Sequence, residues 1–496
     1  MVKSFLERLP ESTRSLELGV GSIGVAILSG FILFTDPRLV LGAVLAICVG
    51  LYFFAKPARS LIAIFVIRVV IDLFWWLPID LGGLNILEAF GGGVAAMGAV
   101  LFYVELQKVE RTPGFFLLII YLAILFVAAG RSGEVRDAAE IMAKYVSPLV
   151  LMFLVSMVIR GKKMRHYFLI AVTGACLISL AVSVYHLSTG QIYEHFRQGY
   201  FRLVGGYANL HNHALFLLFV NCLLLFWTMK PGDWRKRAAF GLLLALGLTC
   251  LYYTFVRTAL TGFALFSVLF LILEKRWRLL GVGAMVAVFA FVSNEAMLDR
   301  FSDVFEVFGD GDSMGSKRTI GSGRFGIWTS SFGEFLRQSP TDMLLGLGLG
   351  GHYEMTDGYA DMYRSLEKSD DLDSHNDYLS LLYQLGPIAL VSYIGLQITV
   401  VRRGRFLAKA TRDPFQRSFC HYVMALTVAT VVTDFLSNAF IQRVTIAWLF
   451  WGMVGVMYGM LREHEDQGLP QGEDSHPSGP QVALKAPLPG VVPKVG

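Results

Sequence analysis

Charged side chains are scarce in this chain. Asp, Glu, Lys and Arg make up 16% of its 496 residues, whereas a soluble domain carries about a quarter. Apolar residues make up 55% of the chain, and the mean hydropathy is +0.56. They fall in long blocks, each able to cross a hydrocarbon core of about 30 Å. This composition excludes a soluble globular protein and predicts a polytopic membrane protein.

Cysteine is also rare, with five residues in the chain. All five lie within or beside apolar blocks and none lies in the long polar loop, so we expect neither a disulfide framework nor a zinc site. The net charge of +5 comes from basic residues in short connections between the blocks. That pattern is typical of a membrane protein, and no nucleic-acid partner is expected.

Apolar blocks bounded by charge predict fourteen transmembrane helices and an all-α fold. Helices 1–11 occupy residues 1–296, an outer cap occupies 297–376, and helices 12–14 occupy 377–461. The tail at 462–496 is rich in Pro and Gly and is expected to be disordered. The predicted helices begin near residues 18, 39, 60, 90, 115, 140, 166, 210, 237, 257, 278, 377, 417 and 442.

The connections between the predicted helices alternate in charge. One set is basic, for example KPAR, RGKKMRH and EKRWR, and the other set is poorer in Lys and Arg. By the positive-inside rule the basic set faces the cytoplasm, which places the N-terminus inside. An even number of helices returns the C-terminus to the same side. The predicted cap and His375 then face outward.

The outer cap has its own local signals. Phe325, Trp328, Phe332 and Phe335 recur at helical spacing, which predicts an amphipathic helix over 322–338 that breaks at Pro340. The glycine-rich segment 346–351 is not framed by a strand and a helix, so it is no phosphate-binding fingerprint. We expect its backbone to pack closely on the membrane helices instead.

His375 stands at the outer start of the twelfth predicted helix. Histidine titrates close to neutrality, and neighbouring carboxylates favour its protonated form. Such a residue suits proton removal from a sugar hydroxyl. The alternative is a helix start capped by Ser374 or Asn376, with His375 a solvated neighbour. The acidic neighbours in sequence are Asp370, Asp371, Asp373 and Asp377.

Two arginines are candidates for binding an anion on the outer side. Arg257 follows a short outer turn, and Arg324 lies in the cap. A guanidinium can hold diphosphate oxygens in a bidentate way that lysine cannot copy. The alternatives are snorkelling to lipid headgroups for Arg257 and a surface salt bridge for Arg324.

Other charges within the predicted spans have a structural explanation. Arg68 with Asp72, and Glu140 with Lys144, stand four residues apart and can neutralise each other. With Asp434 in the thirteenth span, a proton or ion pathway is the alternative. The acidic motifs DGD (310–312) and DDLD (370–373) are interpreted as solvated turns, and no metal site is expected.

Segment SHNDYLSLLYQLGPIAL (374–390) resembles the HN-x-YL-x-x-L-x-x-x-G signature of the O-antigen ligase and O-antigen polymerase superfamily. The resemblance covers roughly residues 200 to 395. Other segments are similar to that superfamily in the same order and on the same side: FRLVGGYANLHNHALF (201–216), FVRTALTGFAL (255–265), and SGRFGIWTSSF (322–332) followed by PTDMLLGLGLG (340–350).

The resemblance implies a GT-C-like membrane glycosyltransferase that takes glycans from undecaprenyl diphosphate on the outer face of the bacterial inner membrane, without a cofactor or metal. It implies that Arg257 and Arg324 bind the diphosphate and that His375 is the general base. Arg337 stands eleven residues before Gly348, which fits a spacing of the polymerases. The candidate supporting residues are Asn376, Asp377, Asn212, Arg337 and Arg202.

Three functions are compatible with these features. The first is a polysaccharide polymerase that joins lipid-linked repeat units of O-antigen or exopolysaccharide. The second is a ligase that moves finished glycan onto lipid A-core or a protein. The third is a fourteen-span flippase without chemistry, which an outer cap with Arg and His does not favour. Expected partners are the lipid-linked oligosaccharide, the acceptor glycan or lipid A-core, membrane lipids, a chain-length regulator and a flippase.

Overall fold

The computed structural model describes most of the chain from residue 55 onward. The predicted helices near 18, 39 and 90, the acidic motifs at 310–312 and 370–373, and the tail beyond 466 lie outside the described residues. The described residues are 55–74, 112–133, 135–190, 193–195, 201–207, 209–230, 232–295, 324–356, 374–438 and 443–466, with Tyr52, Gly93, Val94 and Leu298.

Helices begin close to every predicted start that falls on the described residues, so the all-α prediction is confirmed. They are α1 (Pro57–Ile71), α2 (Phe115–Arg131), α3 (Val135–Val158), α4 (Gly161–Thr189), α5 (Leu210–Met229), α6 (Trp234–Tyr253), α7 (Arg257–Leu273), α8 (Trp277–Val292), α9 (Arg324–Phe335), α10 (Pro340–Leu345), α11 (Asp377–Ala410), α12 (Pro414–Leu436) and α13 (Val444–Asp466).

Six of the described helices are long and apolar enough to cross a membrane, namely α3, α4, α5, α11, α12 and α13, and α2, α7 and α8 are shorter apolar helices. In hydrocarbon a backbone must satisfy its polar groups internally, which is why such runs form helices. The chain is thus an all-α polytopic membrane protein.

Burial separates the central helices from the peripheral ones. Helix α13 is buried almost all round and packs along α3, while α5 is enclosed by α6, α7 and α12. No side chain of α8 is buried, and α8 packs on α7. A helix that is apolar all round needs burial or lipid, so α5 and α13 form the core and α8 forms an edge.

Successive helices run in opposite directions, as the alternating loop charges predict. The starts of α5, α7, α11 and α13 and the ends of α2, α6 and α12 meet at one end of the bundle, called here the His375 end. Contacts across that end include Arg202 to Thr254 and Arg324 to Leu436. At the opposite end Arg165 pairs with Glu463 at 2.5 Å.

Both predicted charge pairs are present. Arg68 Nη2 lies 3.4 Å from Asp72 Oδ1 on α1 and the short 3₁₀ turn that follows it. The Thr445 hydroxyl on α13 donates to Asp72 and accepts from Arg68 Nε. Lys144 Nζ lies 2.5 Å from Glu140 Oε1 on α3. Mutual neutralisation within the bundle therefore explains these charges without a transport pathway.

A β-hairpin at the His375 end is an element that the sequence did not predict. Strand β1 (Tyr193–His195) pairs antiparallel with β2 (Phe201–Leu203). Three-residue strands are too short to leave a period-two pattern in the sequence. After β2, Gly205 has φ +63° and lies directly over the ring of buried His213 on α5. The hairpin is thereby seated on the bundle.

The predicted amphipathic helix is confirmed as α9, but its buried face is different. Phe325 and Phe332 are exposed, while Ile327, Ser331 and Phe335 are buried. The buried side chains are four residues apart, so they lie on one side of the helix, and only Phe335 of the predicted aromatic stripe belongs to that side. Helix α10 begins at Pro340, and Ser339 caps it by accepting the Asp342 N–H. The cap as a separate unit stays a prediction.

We expect Gly205→Ala to destabilise the protein. A methyl group there would lie 2.2 Å from the His213 ring, in a backbone conformation that favours glycine. Overpacking costs about 1–3 kcal/mol, and the strained backbone adds about 1 kcal/mol. Gly161→Ala is the matched control, because Gly161 also has positive φ (+75°) but an added methyl would meet nothing within 4 Å.

The measurement is the midpoint of thermal unfolding in detergent, followed by fluorescence size exclusion. A clearly larger drop in the midpoint for Gly205→Ala than for Gly161→Ala is expected. Equal drops in the two variants would contradict the packing of the hairpin turn on His213.

Candidate functional site

His375 occupies the turn before α11. Its φ of +50° is in the left-handed region, which histidine adopts more readily than most residues. The Asn376 side chain caps the helix by accepting the N–H groups of Tyr378 and Leu379, at 3.0 and 3.1 Å. Asn376 thus performs the capping that the alternative interpretation foresaw. The His375 side chain is half-buried beside this cap.

The turn of His375 is anchored on both sides. Trp328 Nε1 on α9 donates to the Ser374 carbonyl at 2.8 Å. The Ser374 and Ser380 hydroxyls lie 2.9 Å apart, one turn into α11. Ser374 and Asn376 are both buried. His375 is therefore partly exposed to solvent, between two buried neighbours that hydrogen bonds hold in place.

Arg324 is the first residue of α9 and reaches between two other helices. Its Nη1 donates to the carbonyl of Leu436, the last residue of α12, and lies 3.4 Å from the Thr258 hydroxyl on α7. The carbonyl end of a helix carries partial negative charge and favours a cation there. Because Thr258 follows Arg257, these contacts bring Arg324 to the start of α7, where Arg257 stands.

Arg257 begins α7 immediately after a tight turn. Phe255 in that turn has φ +54°, an uncommon conformation for a bulky side chain. The buried Arg202 of β2 donates its Nε to the Thr254 carbonyl at 2.9 Å. The hairpin therefore fixes the turn from which Arg257 projects. Arg257 is half-buried.

The start of α5 is the point where the basic groups converge. The side chains of Arg443, Arg324, Arg202 and His375 all lie within electrostatic range of the His211 side chain. These residues come from the hairpin, α9, and the segments before α11 and α13. Of the residues that the sequence singled out, Arg324, Arg202 and His375 lie near this point together with His211 and Arg443, and their roles stay predictions.

Sequence reasoning missed Arg443 and His211. Arg443 precedes α13 and donates its Nε to the Asn438 carbonyl at 2.7 Å. Its one sequence signal is that it is an arginine at the outer end of a span, where the connections are otherwise poor in Lys and Arg. His211 stands beside the predicted Asn212 in the segment NLHNHALF.

Two polar atoms at the start of α5 are available to a ligand. His211 Nδ1 and Asn212 Oδ1 are buried, and neither has a hydrogen-bond partner within the described part of the protein. Buried polar atoms without partners are costly, and their presence is typical of sites that bind something polar. Asn212, which the sequence named as a candidate supporting residue, lies beside His211 here, and its supporting role stays a prediction.

Below the basic groups lies a layer of buried acids and hydroxyls. Asp377 on α11 and Asp434 on α12 are both fully buried, and both lie near the hydroxyls of Tyr378 and Tyr393. The Tyr378 hydroxyl donates to Gln397 Oε1 at 3.2 Å, and Gln397 Nε2 lies 3.4 Å from Asp434 Oδ2. These contacts join α11 to α12 through buried polar groups.

Arg337 lies elsewhere. It follows the C-terminal end of α9, whose twelve residues span about 18 Å, whereas Arg324 stands at the N-terminal end. The Arg337 side chain is 78% exposed and pairs with Glu334 at 3.0 Å. The structure therefore does not bring Arg337 to the convergence at His211, and its supporting role stays a prediction.

The described residues include no group of three or more His, Cys, Asp or Glu side chains arranged to hold a metal ion. The acids Asp370, Asp371 and Asp373 near His375 lie outside the described residues. The polar groups gathered here are arginines, histidines, hydroxyls and amides, a set that suits a polar anion such as a phosphate ester.

Part of the chain matches a known family. Residues 240–394 match the family model described as O-antigen ligase. The matched region runs from α6 into α11 and includes Arg257, Arg324 and His375. Arg202, His211 and Arg443 lie outside it. A search of curated proteins gave no match for the chain.

The matched region contains three of the four segments on which the resemblance rests, and segment 201–216 lies before it. Residues 240–394 of this polytopic membrane protein are thus similar to the O-antigen ligase family.

Proposed function

We propose that this protein is a polysaccharide polymerase. It joins glycan repeat units carried on undecaprenyl diphosphate, on the outer face of the bacterial inner membrane, and both of its termini lie in the cytoplasm. The observation that carries the proposal is the convergence of Arg324, Arg202, Arg443 and His375 on His211 at one end of the bundle. The family match over residues 240–394, which include Arg257, Arg324 and His375, adds to it.

The arginines have the chemistry that a lipid diphosphate needs. Guanidinium groups bind phosphate oxygens by paired charge-assisted hydrogen bonds. Arg257 and Arg324 stand at neighbouring helix starts, linked through Thr258, so both can reach one diphosphate. Positive charge fixed there before the reaction stabilises the diphosphate as it leaves. The surrounding apolar helices suit the polyprenyl chain.

His375 is the general base in this proposal. Its imidazole takes the proton of an acceptor sugar hydroxyl as the oxygen attacks the anomeric carbon of the donor. The bond from that carbon to the diphosphate oxygen breaks, and undecaprenyl diphosphate leaves with the electron pair. Attack opposite the leaving group inverts the anomeric centre. The donor is already activated, so the proposed reaction uses neither a nucleotide nor a metal.

Asn376 and Asp377, which follow His375 in the chain, support the base. Asn376 fixes the helix start through its two backbone hydrogen bonds. The buried carboxylate of Asp377 follows directly and favours the protonated imidazole that forms during transfer. Asn212 and His211 offer buried polar atoms to the glycan or the diphosphate.

A ligase is the second candidate, because the matching family model bears that description. The donor site and the base would be the same, and the acceptor would be lipid A-core or a protein instead of a second lipid-linked repeat unit. A chain-length regulator and a flippase are proposed partners of the polymerase.

The test is product analysis with the purified full-length protein and one undecaprenyl-diphosphate-linked repeat unit, without added acceptor. A polymerase gives a ladder of masses spaced by one repeat unit, and His375→Ala in the same assay gives none. Product that forms only after lipid A-core is added would replace the polymerase with the ligase. An unchanged ladder from folded His375→Ala would contradict the role of the base.

A second prediction concerns Arg202. Arg202→Met removes the donor that holds the Thr254 carbonyl and keeps an unbranched side chain. Loss of a hydrogen bond from a charged group costs about 1.5–3 kcal/mol, so the donor KM should rise at least about tenfold. Steady-state kinetics at varied donor concentration measure this.

Arg237→Met is the matched control for Arg202→Met. Arg237 also donates its Nε to a backbone carbonyl, that of Thr228 at 3.2 Å, but on an exposed surface at the opposite end. It should leave the donor KM within about twofold of the wild type. An equal effect of both substitutions would contradict the proposed support of Arg257.

A further inference from the structure

Helix α11 is discontinuous nine residues after its start. Gly386 has φ +75° and ψ 177°, which is outside the helical region, and Pro387 follows it. Proline has no N–H to donate, so the helical ladder cannot continue across this point. Residues 377–385 thus form a short arm about 13 Å long. His375 lies just before the N-terminal end of the arm, and the break lies at its C-terminal end.

The glycine-rich loop after α10 takes over the hydrogen bonds that the break removes. The carbonyls of Tyr383 and Gln384 lose their partners on the next helical turn. Leu347 N–H donates to the Tyr383 carbonyl at 2.8 Å, and Gly348 N–H donates to that of Gln384 at 3.2 Å. The backbone polar groups at the break are satisfied within the protein, as a membrane requires.

The glycine-rich loop and the arm lie so close together that the glycines where they meet have no room for a side chain. A methyl group at Gly346 would lie 2.3 Å from the Gln384 carbonyl oxygen, and one at Gly386 would lie 2.2 Å from that of Leu344. Gly346, Gly348 and Gly350 all have positive φ. The expectation that this segment packs closely on the membrane helices is confirmed.

Gln384 connects the arm to two other parts of the protein. Its side chain is fully buried. Oε1 accepts the Gly350 N–H at 3.0 Å. Nε2 donates to the Tyr145 hydroxyl on α3 at 2.9 Å and to the Ser380 carbonyl at 3.2 Å. The amide group therefore has its hydrogen bonds directed at the loop, at α3 and at the arm itself.

The contacts continue from Gln384 to the turn of His375. Ser380, whose carbonyl accepts from Gln384, places its hydroxyl 2.9 Å from that of Ser374. Ser374 directly precedes His375. A displacement of Gln384 would therefore move the serine pair and, with it, the imidazole.

Helix α9 is docked on the same arm. The Tyr383 hydroxyl lies 3.0 Å from that of Ser331, and the rings of Tyr383 and Phe335 are 5.2 Å apart. Arg324 at the start of α9 is held separately, by the Leu436 carbonyl of α12. A shift of the arm therefore displaces His375 more than Arg324.

We propose that Gln384 is a positioning residue for His375. It does not touch the substrate but sets the height and rotation of the arm that carries the base, by tying it to the glycine-rich loop and to Tyr145. This inference rests on the proposed function of His375. Residues away from the chemistry that misplace a reacting group by about 1 Å can cost about 100-fold in rate.

The test compares Gln384→Leu, Tyr145→Phe and Ser392→Ala in the full-length protein, with purified enzyme and the lipid-linked repeat unit. Gln384→Leu keeps a similar volume and loses the polar contacts, so kcat should fall about 10- to 100-fold while the donor KM stays within about twofold. Tyr145→Phe removes one contact and should lower kcat less, again without changing KM.

Ser392→Ala is the matched control. Ser392 lies on α11 beyond the break, and within the described part of the protein its hydroxyl bonds only to the Ile388 carbonyl of its own helix, at 2.8 Å. It should keep wild-type kcat and KM. A wild-type kcat in Gln384→Leu would overturn the proposal, as would an equal loss of kcat in Ser392→Ala.

Two further outcomes are decisive. Should Gln384→Leu not fold, Tyr145→Phe decides alone, because a lowered kcat at unchanged KM supports the positioning role and a wild-type kcat refutes it. His375→Ala is measured alongside. Activity in His375→Ala would refute the proposed function itself, whereas loss of activity there with an unaffected Gln384→Leu would refute this inference alone.

Discussion

The contact between the Arg324 guanidinium and the carbonyl end of α12 is the interaction on which the site depends. It brings the start of α9 against the start of α7, where Arg257 stands. The other end of α9 packs on Tyr383 in the arm that carries His375. One short helix therefore spans the distance between the proposed anion-binding groups and the proposed base. Without that contact, the positions of the two arginines relative to His375 would not be fixed.

The hydrocarbon environment imposes a second constraint, because every interrupted backbone hydrogen bond must find a partner inside the protein. The helical backbone is interrupted in two places toward the His375 end, and in both places other polar groups of the protein satisfy its carbonyls. Arg202 satisfies the carbonyl of Thr254 in the turn before α7, and the glycine-rich loop satisfies the break at Gly386. These two interruptions place polar groups of the candidate site beside apolar helices. A lipid-linked substrate has a polar head and an apolar chain, and the proposed function requires both kinds of surface.

The sequence predicted the all-α class and most helix starts within the described residues, since apolar length is visible along the chain. Local motifs also singled out Arg257, Arg324 and His375, whose roles stay predictions. The sequence could not indicate that Arg443 lies near Arg324 and His375, because only folding brings the start of α13 to that of α5. The break in α11 was missed because Gly386 and Pro387 lie within a continuous apolar run. The buried face of α9 was predicted only in part, because Phe335 is buried while Phe325 and Phe332 are exposed.

In the proposed reaction, arginine side chains bind the donor and His375 takes the proton of the acceptor. The most direct measurement is the affinity for undecaprenyl diphosphate and the turnover number, determined on the same preparations of Arg324→Lys and His375→Ala. Arg324→Lys keeps the charge but loses the fork, so affinity should fall at least about tenfold. His375→Ala should bind with wild-type affinity and not turn over. Wild-type affinity in Arg324→Lys together with weakened binding in His375→Ala would contradict the account.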